Sequence, residues 1–121
     1  MVRVALCRAR WGKSLLSSGK DEKGRQELGR ALQEVEAMRN RSPGRGGVTK
    51  LHIEVLLSRA RGLARAVARE PNASAGADLQ QARDDLAAAN EWIGKLPAGS
   101  ELLTRDHWEK ARQLIQQTSP Q

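Results

Sequence analysis

The stretch RWGKSLLSSGKDEKGRQELGRAL, residues 10–32, decides the fold of this 121-residue chain. Leucines recur at helical spacing on both sides of SSGK, residues 17–20, where serine and glycine interrupt a helix. Glycines also stand inside the two helical halves, at Gly12 and Gly24. Because glycine has no side chain to hold a neighbouring backbone away, the stretch predicts a helical hairpin whose two helices pack at close range.

Outside this stretch, apolar residues continue to recur at spacings of three and four, as they do in amphipathic helices. No alternation typical of a strand is long enough to predict a sheet. The sequence therefore predicts an all-α fold of five helices. Their predicted buried stripes are, in chain order, Val4, Cys7, Trp11 and Leu15; Leu28, Ala31, Leu32, Val35 and Met38; Ile53, Leu56, Ala60, Leu63 and Val67; Leu79, Ala82, Leu86, Ala89 and Ile93; and Leu103, Trp108, Ala111, Leu114 and Ile115.

Proline and glycine divide the chain into two hairpins and a last helix. RNRSPGRGG, residues 39–47, contains Pro43 and three glycines, which do not sustain a helix. We predict a first hairpin over 2–40, a linker over 41–48, a second hairpin over 49–96 and a final helix over 100–118. Within the second hairpin, PNASAGAD is a loop and Asp78 is the predicted N-cap of the fourth helix.

Composition restricts the class of protein. The net charge is +7, and it is uneven: residues 1–70 carry +9 and residues 71–121 carry −2. A single cysteine, Cys7, excludes an internal disulfide, and we expect it to be a small core residue in a reducing compartment. No apolar run is long enough to cross a bilayer, so we expect a soluble cytoplasmic protein without membrane partners. Residues 1–20 contain five bases and no acid, and a mitochondrial targeting peptide is the alternative interpretation of this segment.

The residues that usually carry catalysis or bind metal form no recognisable set. His52, His107 and Cys7 fall on three different predicted helices, without the spacing of metal ligands. GRGGVTK, residues 44–50, lacks both the ending and the preceding strand of a phosphate-binding loop. Asp84 and Asp85 are adjacent and point about 100° apart on a helix, which is unsuitable for paired acid–base chemistry. The sequence predicts a protein that is not an enzyme and binds no cofactor or metal.

Residues 5–38 resemble one unit of the tetratricopeptide repeat family, a 34-residue helix–turn–helix. Trp11 and Gly12 stand at the family's Leu-Gly pair, and Leu15 at its large residue. The other matching positions are Gly19, Gly24, Leu28 and Ala31. Arg8 stands where the family has tryptophan. A second unit fits residues 57–95, in which Ala82, Leu86 and Ala89 repeat the spacing of Gly24, Leu28 and Ala31.

This resemblance implies hairpins stacked as a short right-handed superhelix, with the fifth helix capping the last apolar face. Two repeats are fewer than the three or so that usually make such an array stable. The resemblance therefore also implies that the chain either self-associates or forms part of a longer repeat protein.

In this family the first helix of each unit lines a concave groove that binds peptides or helices. The resemblance places Arg10, Lys13 and Leu16 of the first unit in this groove, and Arg61, Arg65 and Arg69 of the second. We therefore predict a protein-interaction scaffold whose basic groove binds an acidic peptide segment or partner helix. The asparagines of the family's carboxylate-clamp members are absent here. Nucleic-acid binding through the basic half of the chain is the alternative hypothesis.

Overall fold

A computed structural model of the chain describes residues 2–41, 46–69, 75–96 and 102–118. These residues form five α-helices joined by short connections, and no strand occurs among them. The prediction of an all-α fold is confirmed. The helices are α1 (Val2–Ser17), α2 (Asp21–Arg41), α3 (Gly46–Arg69), α4 (Ala75–Ile93) and α5 (Leu102–Thr118). None of them is long and apolar enough to cross a membrane.

The turn between α1 and α2 is closed by Gly19, as its sequence predicts. Gly19 has a φ of 97°, in the left-handed region that residues with a side chain avoid. The Lys20 amide donates to the Leu15 carbonyl at 2.8 Å, and the Gly19 amide donates to the Leu16 carbonyl at 3.4 Å. These two hydrogen bonds form a Schellman motif, which ends α1 and reverses the chain into α2.

Helix α3 is the centre of the molecule and contacts all four other helices. In addition, α1 packs against α2, and α4 packs against α5. Buried residues occur on most faces of α3, including Leu51, Ile53, Val55, Leu57 and Ala64. A helix that is apolar nearly all round is stable only where other helices cover it, which is why the core lies along α3.

Three glycines mark the close approaches of α1 to its neighbours. A Cβ atom added to Gly24 would lie 2.8 Å from the Gly12 carbonyl oxygen and 2.8 Å from Leu16 Cγ. One added to Gly12 would lie 2.8 Å from Leu28 Cγ. A Cβ on Gly62 of α3 would lie 2.7 Å from Leu16 Cδ1. The predicted close packing at Gly12 and Gly24 is confirmed, and Gly62 provides a second such contact between α1 and α3.

The predicted buried stripes of α2, α3 and α4 are confirmed, with Leu32 and Met38 only partly buried. The stripe predicted for α1 is wrong for two of its members. Cys7 is exposed and Trp11 is 48% exposed, while Val4 lies outside the described side chains. Helix α1 buries Ala9, Gly12, Leu15 and Leu16 instead, because Gly12 lies against α2 and Leu16 lies against Gly62 of α3.

Several predicted boundaries differ from the observed ones. The linker expected at 41–48 is shorter, since α2 continues to Arg41 and α3 begins at Gly46. Glycine is tolerated in a first turn, where the amides lack helical acceptors in any case. Asp78 is not an N-cap, because α4 begins at Ala75. The final helix begins at Leu102, and residues 97–101 lie outside the described part of the chain.

Polar side chains add contacts between helices. Within the second hairpin, Arg59 of α3 donates two hydrogen bonds to Asp85 of α4, at 2.8 and 2.7 Å, and Asp85 is 2% exposed. Arg25 near the start of α2 donates to Asp78 in the first turn of α4 at 2.6 Å. The indole of Trp108 in α5 donates to the Leu86 carbonyl at 2.8 Å. These contacts fix the order in which the helices stack.

Candidate functional site

Four of the predicted groove residues lie together where α1 packs against α3. Arg10 and Lys13 are on α1, and Arg61 and Arg65 are one turn apart on α3. Arg10 and Arg65 are exposed, whereas Lys13 and Arg61 are half-buried. We call these four residues the cation cluster. The structure thus brings together side chains that are about 50 residues apart in the sequence.

Gly62 determines how closely the two halves of the cation cluster approach. A Cβ atom added to Gly62 would lie 3.6 Å from Lys13 Cα and 2.7 Å from Leu16 Cδ1. The backbone of α3 beside Arg61 therefore lies almost against the backbone of α1 beside Lys13. A larger residue at position 62 would require the Leu16 side chain to move, at a cost in the packing between α1 and α3.

The electrostatics of Lys13 report this crowding of positive charge. Partial burial is the largest cause that lowers the pKa of the Lys13 ammonium below its usual range, and repulsion from Arg61, Arg65 and Arg10 follows. Glu54 of α3 acts in the opposite direction. Each nearby cation disfavours the charged form of its neighbour. The repulsion from these three cations, each stronger than the opposing effect of Glu54, indicates a positive potential at Lys13 in addition to the effect of burial.

The cation cluster differs from several other basic side chains in the described part of the chain, because it lacks ion-pair partners there. None of its four residues has an Asp or Glu oxygen within 4.0 Å among the described residues. Several other arginines do pair with acids. Arg8 pairs with Glu27 and Glu34, and Arg25, Arg59 and Arg112 pair with Asp78, Asp85 and Glu109 respectively.

One donor in the cation cluster is buried without a hydrogen bond. The Nε atom of Arg61 is shielded from solvent and has no partner among the described residues. Buried donors without partners are rare in folded proteins, because the lost hydration is not replaced. Arg61 is thus the residue of the cation cluster that has a buried donor without an acceptor among the described residues.

Two predicted groove residues have other roles in the structure. Leu16 is fully buried and fills the space between Gly24 and Gly62, so its side chain belongs to the core and the expectation that it lines a groove is wrong. The Nη1 atom of Arg69 donates to the Leu16 carbonyl at 2.6 Å. A cation at this place satisfies a carbonyl of the last turn of α1 and complements the helix dipole.

The histidines take part in two separate side-chain groups. His107 Nδ1 of α5 lies 3.2 Å from Glu54 Oε1 of α3, at the border of the cation cluster. His52 is 4% exposed, and its Nδ1 lies 2.7 Å from Arg39 Nη1. Burial, followed by repulsion from Arg39, lowers the pKa of His52 to about 4. No group of three or more His, Cys, Asp or Glu side chains in the described ranges could hold a metal ion.

The sequence interpretation missed Gly62 and Glu54 as parts of this site. Gly62 interrupts the apolar run of a long helix, where glycine is unfavourable by about 1 kcal/mol relative to alanine. A glycine in such a place indicates a close contact, and this signal could have been used. Glu54 carried no comparable signal, since its position beside Lys13 depends on how α1 and α3 pack.

In comparisons with known proteins, the chain matches no family model, no curated protein and no solved structure.

Proposed function

We propose that this chain is a non-catalytic protein-interaction module of the tetratricopeptide-like kind, which binds an acidic peptide segment or partner helix on the cation cluster. The observation that carries the proposal is that Arg10, Lys13, Arg61 and Arg65 lie together at the α1–α3 contact and form no ion pair with a described Asp or Glu. Cations left unneutralised at a helix–helix contact raise the electrostatic energy of the free protein, and an acidic ligand would lower it.

The order of helix contacts supports a stacked-repeat arrangement. In the described structure α3 packs on both α1 and α2, and α5 packs on both α3 and α4. Helices α3 and α5 thus each cover the helix pair before them, as expected of consecutive repeats. Gly24, Leu28 and Ala31 of α2 and the equally spaced Ala82, Leu86 and Ala89 of α4 are all buried. In this arrangement the cation cluster lies on the first helices of both units.

A peptide ligand accounts for the charge distribution better than a nucleic acid does. Several arginines outside the cation cluster form ion pairs with acids of the same chain, whereas the cation cluster concentrates four positive charges at one helix contact. Nucleic-acid binding draws on many phosphate contacts along an extended path. The compact cluster matches a short run of carboxylates.

The proposal is tested by fluorescence anisotropy with a labelled peptide of alternating Glu and Gly. The variant Arg61→Glu/Arg65→Glu should weaken binding by at least about tenfold, because it replaces attraction by repulsion. The control Lys20→Glu/Lys50→Glu changes the net charge equally at exposed positions outside the cation cluster, and it should retain most of the affinity. An equal loss of peptide affinity in both variants would show that only the net charge matters and would contradict the cation cluster as the binding site. Tighter binding of a random DNA duplex than of the peptide, at the same salt concentration, would favour the nucleic-acid hypothesis instead.

A further inference from the structure

The cation cluster has the dimensions of a site for one small, highly charged anion. Residues three or four apart on a helix face have Cβ atoms about 5–6 Å from each other, which applies to Arg10 with Lys13 and to Arg61 with Arg65. Gly62 lets the two helices approach so closely that a Cβ atom there would lie 3.6 Å from Lys13 Cα. The flexible ends of all four side chains can therefore reach a single group placed over the α1–α3 contact.

The charge of the site favours a dianion over a single carboxylate. Among the described acids, Glu54 is the one that acts on Lys13, and it already lies 3.2 Å from His107 Nδ1. A phosphorylated side chain carries a charge of about −1.5 to −2 at pH 7 and offers three strongly accepting oxygens. A single carboxylate offers two oxygens and one charge, and would leave most of the cluster unneutralised.

Arg61 supplies a second reason for an oxyanion with several acceptors. Its Nε–H donor is buried and lacks an acceptor among the described residues. The guanidinium donates through a planar fork that matches two oxygens of a phosphoryl group. A small shift of the Arg61 side chain toward such a group would give the unsatisfied donor an acceptor, so binding would remove an unfavourable feature of the free protein.

The surroundings of the tryptophans favour a peptide as the carrier of this group. Trp11 lies against Lys23 of α2, outside the α1–α3 contact, and Trp92 is covered by Arg39 and Lys95. Single-stranded nucleic acids are usually held by bases stacked on accessible rings beside the basic groove. Although Trp11 is 48% exposed, its ring lies against α2, and the Trp108 indole is bound to the Leu86 carbonyl of α4.

We propose that the cation cluster binds a phosphoserine or phosphothreonine side chain within an acidic peptide, with Arg61 and Arg65 donating to the phosphoryl oxygens and Lys13 and Arg10 completing the charge. This inference rests on the proposed function and specifies the ligand of the same site. No covalent step is involved.

The test compares two labelled peptides of equal formal charge in fluorescence anisotropy. One has phosphoserine at its centre between Glu and Gly residues, and the other has two glutamates in place of the phosphoserine. At about pH 7.5 the phosphopeptide should bind at least about tenfold more tightly. Its affinity should decrease toward about pH 5.5, because the second phosphate ionisation has a pKa of about 6. The glutamate peptide should show little change over this range, since carboxylates remain ionised.

Two variants separate recognition by the guanidinium fork from simple attraction. Arg61→Lys keeps the charge and removes the fork, so it should abolish most of the preference for phosphoserine while the glutamate peptide still binds. Lys50→Gln, at an exposed position on the same helix, should leave the preference unchanged. Far-UV circular dichroism at both pH values shows that each protein remains folded.

The outcomes distinguish this inference from the proposed function. Equal affinity for both peptides, lost together in Arg61→Glu/Arg65→Glu, would overturn the phosphoryl inference and leave acidic-peptide binding in place. Failure of both peptides to bind would overturn both. Displacement of the phosphopeptide by inorganic phosphate, but not by chloride at equal ionic strength, would support the phosphoryl inference.

Discussion

Replacing Gly24 by alanine is the sharpest test of the helix contact on which the fold depends. The new Cβ atom would lie 2.8 Å from the Gly12 carbonyl oxygen, 2.8 Å from Leu16 Cγ and 3.0 Å from the Leu16 amide nitrogen, whereas ordinary contacts begin at 3.4 Å. Two of these atoms belong to the backbone. Leu16 is also confined on its other side, where Gly62 leaves no room for a Cβ atom. The helices must therefore move apart by several tenths of an ångström.

The magnitude follows from two opposing effects. Overpacking a well-packed contact costs about 1–3 kcal/mol, while exchanging glycine for alanine inside a helix stabilises by about 1 kcal/mol. Gly24→Ala should therefore destabilise the protein by about 0–2 kcal/mol. Gly29 is the matched control in the same helix, because a Cβ atom there would meet nothing within 4 Å. Gly29→Ala should stabilise by about 1 kcal/mol.

The difference between these two variants isolates the packing effect, because the gain in helix propensity is common to both. Urea denaturation followed by far-UV circular dichroism measures both free energies of unfolding. We expect Gly29→Ala to be more stable than Gly24→Ala by about 1–3 kcal/mol. If both variants were stabilised equally, α1 and α2 would not approach closely at Gly24. The described position of α1, which determines the position of Lys13, would then be wrong as well.

Three further predictions concern the turn, the buried ion pair and the buried histidine. Gly19→Ala places a side chain at a φ of 97° and should lower the free energy of unfolding, measured by urea denaturation, by about 1–2 kcal/mol. An unchanged denaturation midpoint would contradict the Schellman motif. Asp85→Leu leaves Arg59 partly buried without its acid and should lower the free energy of unfolding by about 3–5 kcal/mol. The double variant Arg59→Met/Asp85→Leu should recover most of this loss. Equal losses of stability in the single and double variants would contradict this account of the ion pair. The pKa of His52 is lowered to about 4 in the folded protein, whereas in the unfolded chain it has its ordinary value of about 6.5. Between these pH values the unfolded chain binds a proton that the folded protein does not bind, so lowering the pH favours unfolding. This contribution to stability is complete above about pH 6.5 and should fall by about 2 kcal/mol on going to about pH 5. His52→Gln should lack that part of the pH dependence, and an identical pH profile in the two proteins would show that His52 is not buried as a neutral ring.

Much of the fold could be predicted from local patterns. The stripes of α2, α3 and α4 need only a spacing of three and four to identify the buried face, and the burial of Leu28, Ile53 and Ala82 confirms this. Gly19 was predictable because few other residues adopt its backbone conformation. The end of α2 and the start of α3 were less predictable, since Arg41 and Gly46 are poor boundary signals and helix ends vary by one or two residues.

The candidate site was only partly predictable, because some of its residues are close in the sequence and others meet only when the helices pack. Two arginines spaced by four on one helix, Arg61 and Arg65, must lie on the same side of it, and the sequence shows this directly. Leu16 lies three residues from Lys13 and looks like part of the same face. Its actual position, fully buried in the core, depends on Gly24 and Gly62 of two other helices.

The sequence alone determined that the chain is helical, where the first hairpin turns, and that positive charge concentrates in its first 70 residues, because these properties depend on residues within a few positions of one another. Only the tertiary structure decided which of two apolar faces of α1 is buried. Cys7, Trp11 and Leu15 have helical spacing, and so do Ala9, Gly12 and Leu16. Only Leu15 of the first set is buried, whereas all of the second set is buried because glycines on α2 and α3 let those helices approach it. The same approach places Lys13 beside Arg61, a contact between distant parts of the chain that no local pattern encodes.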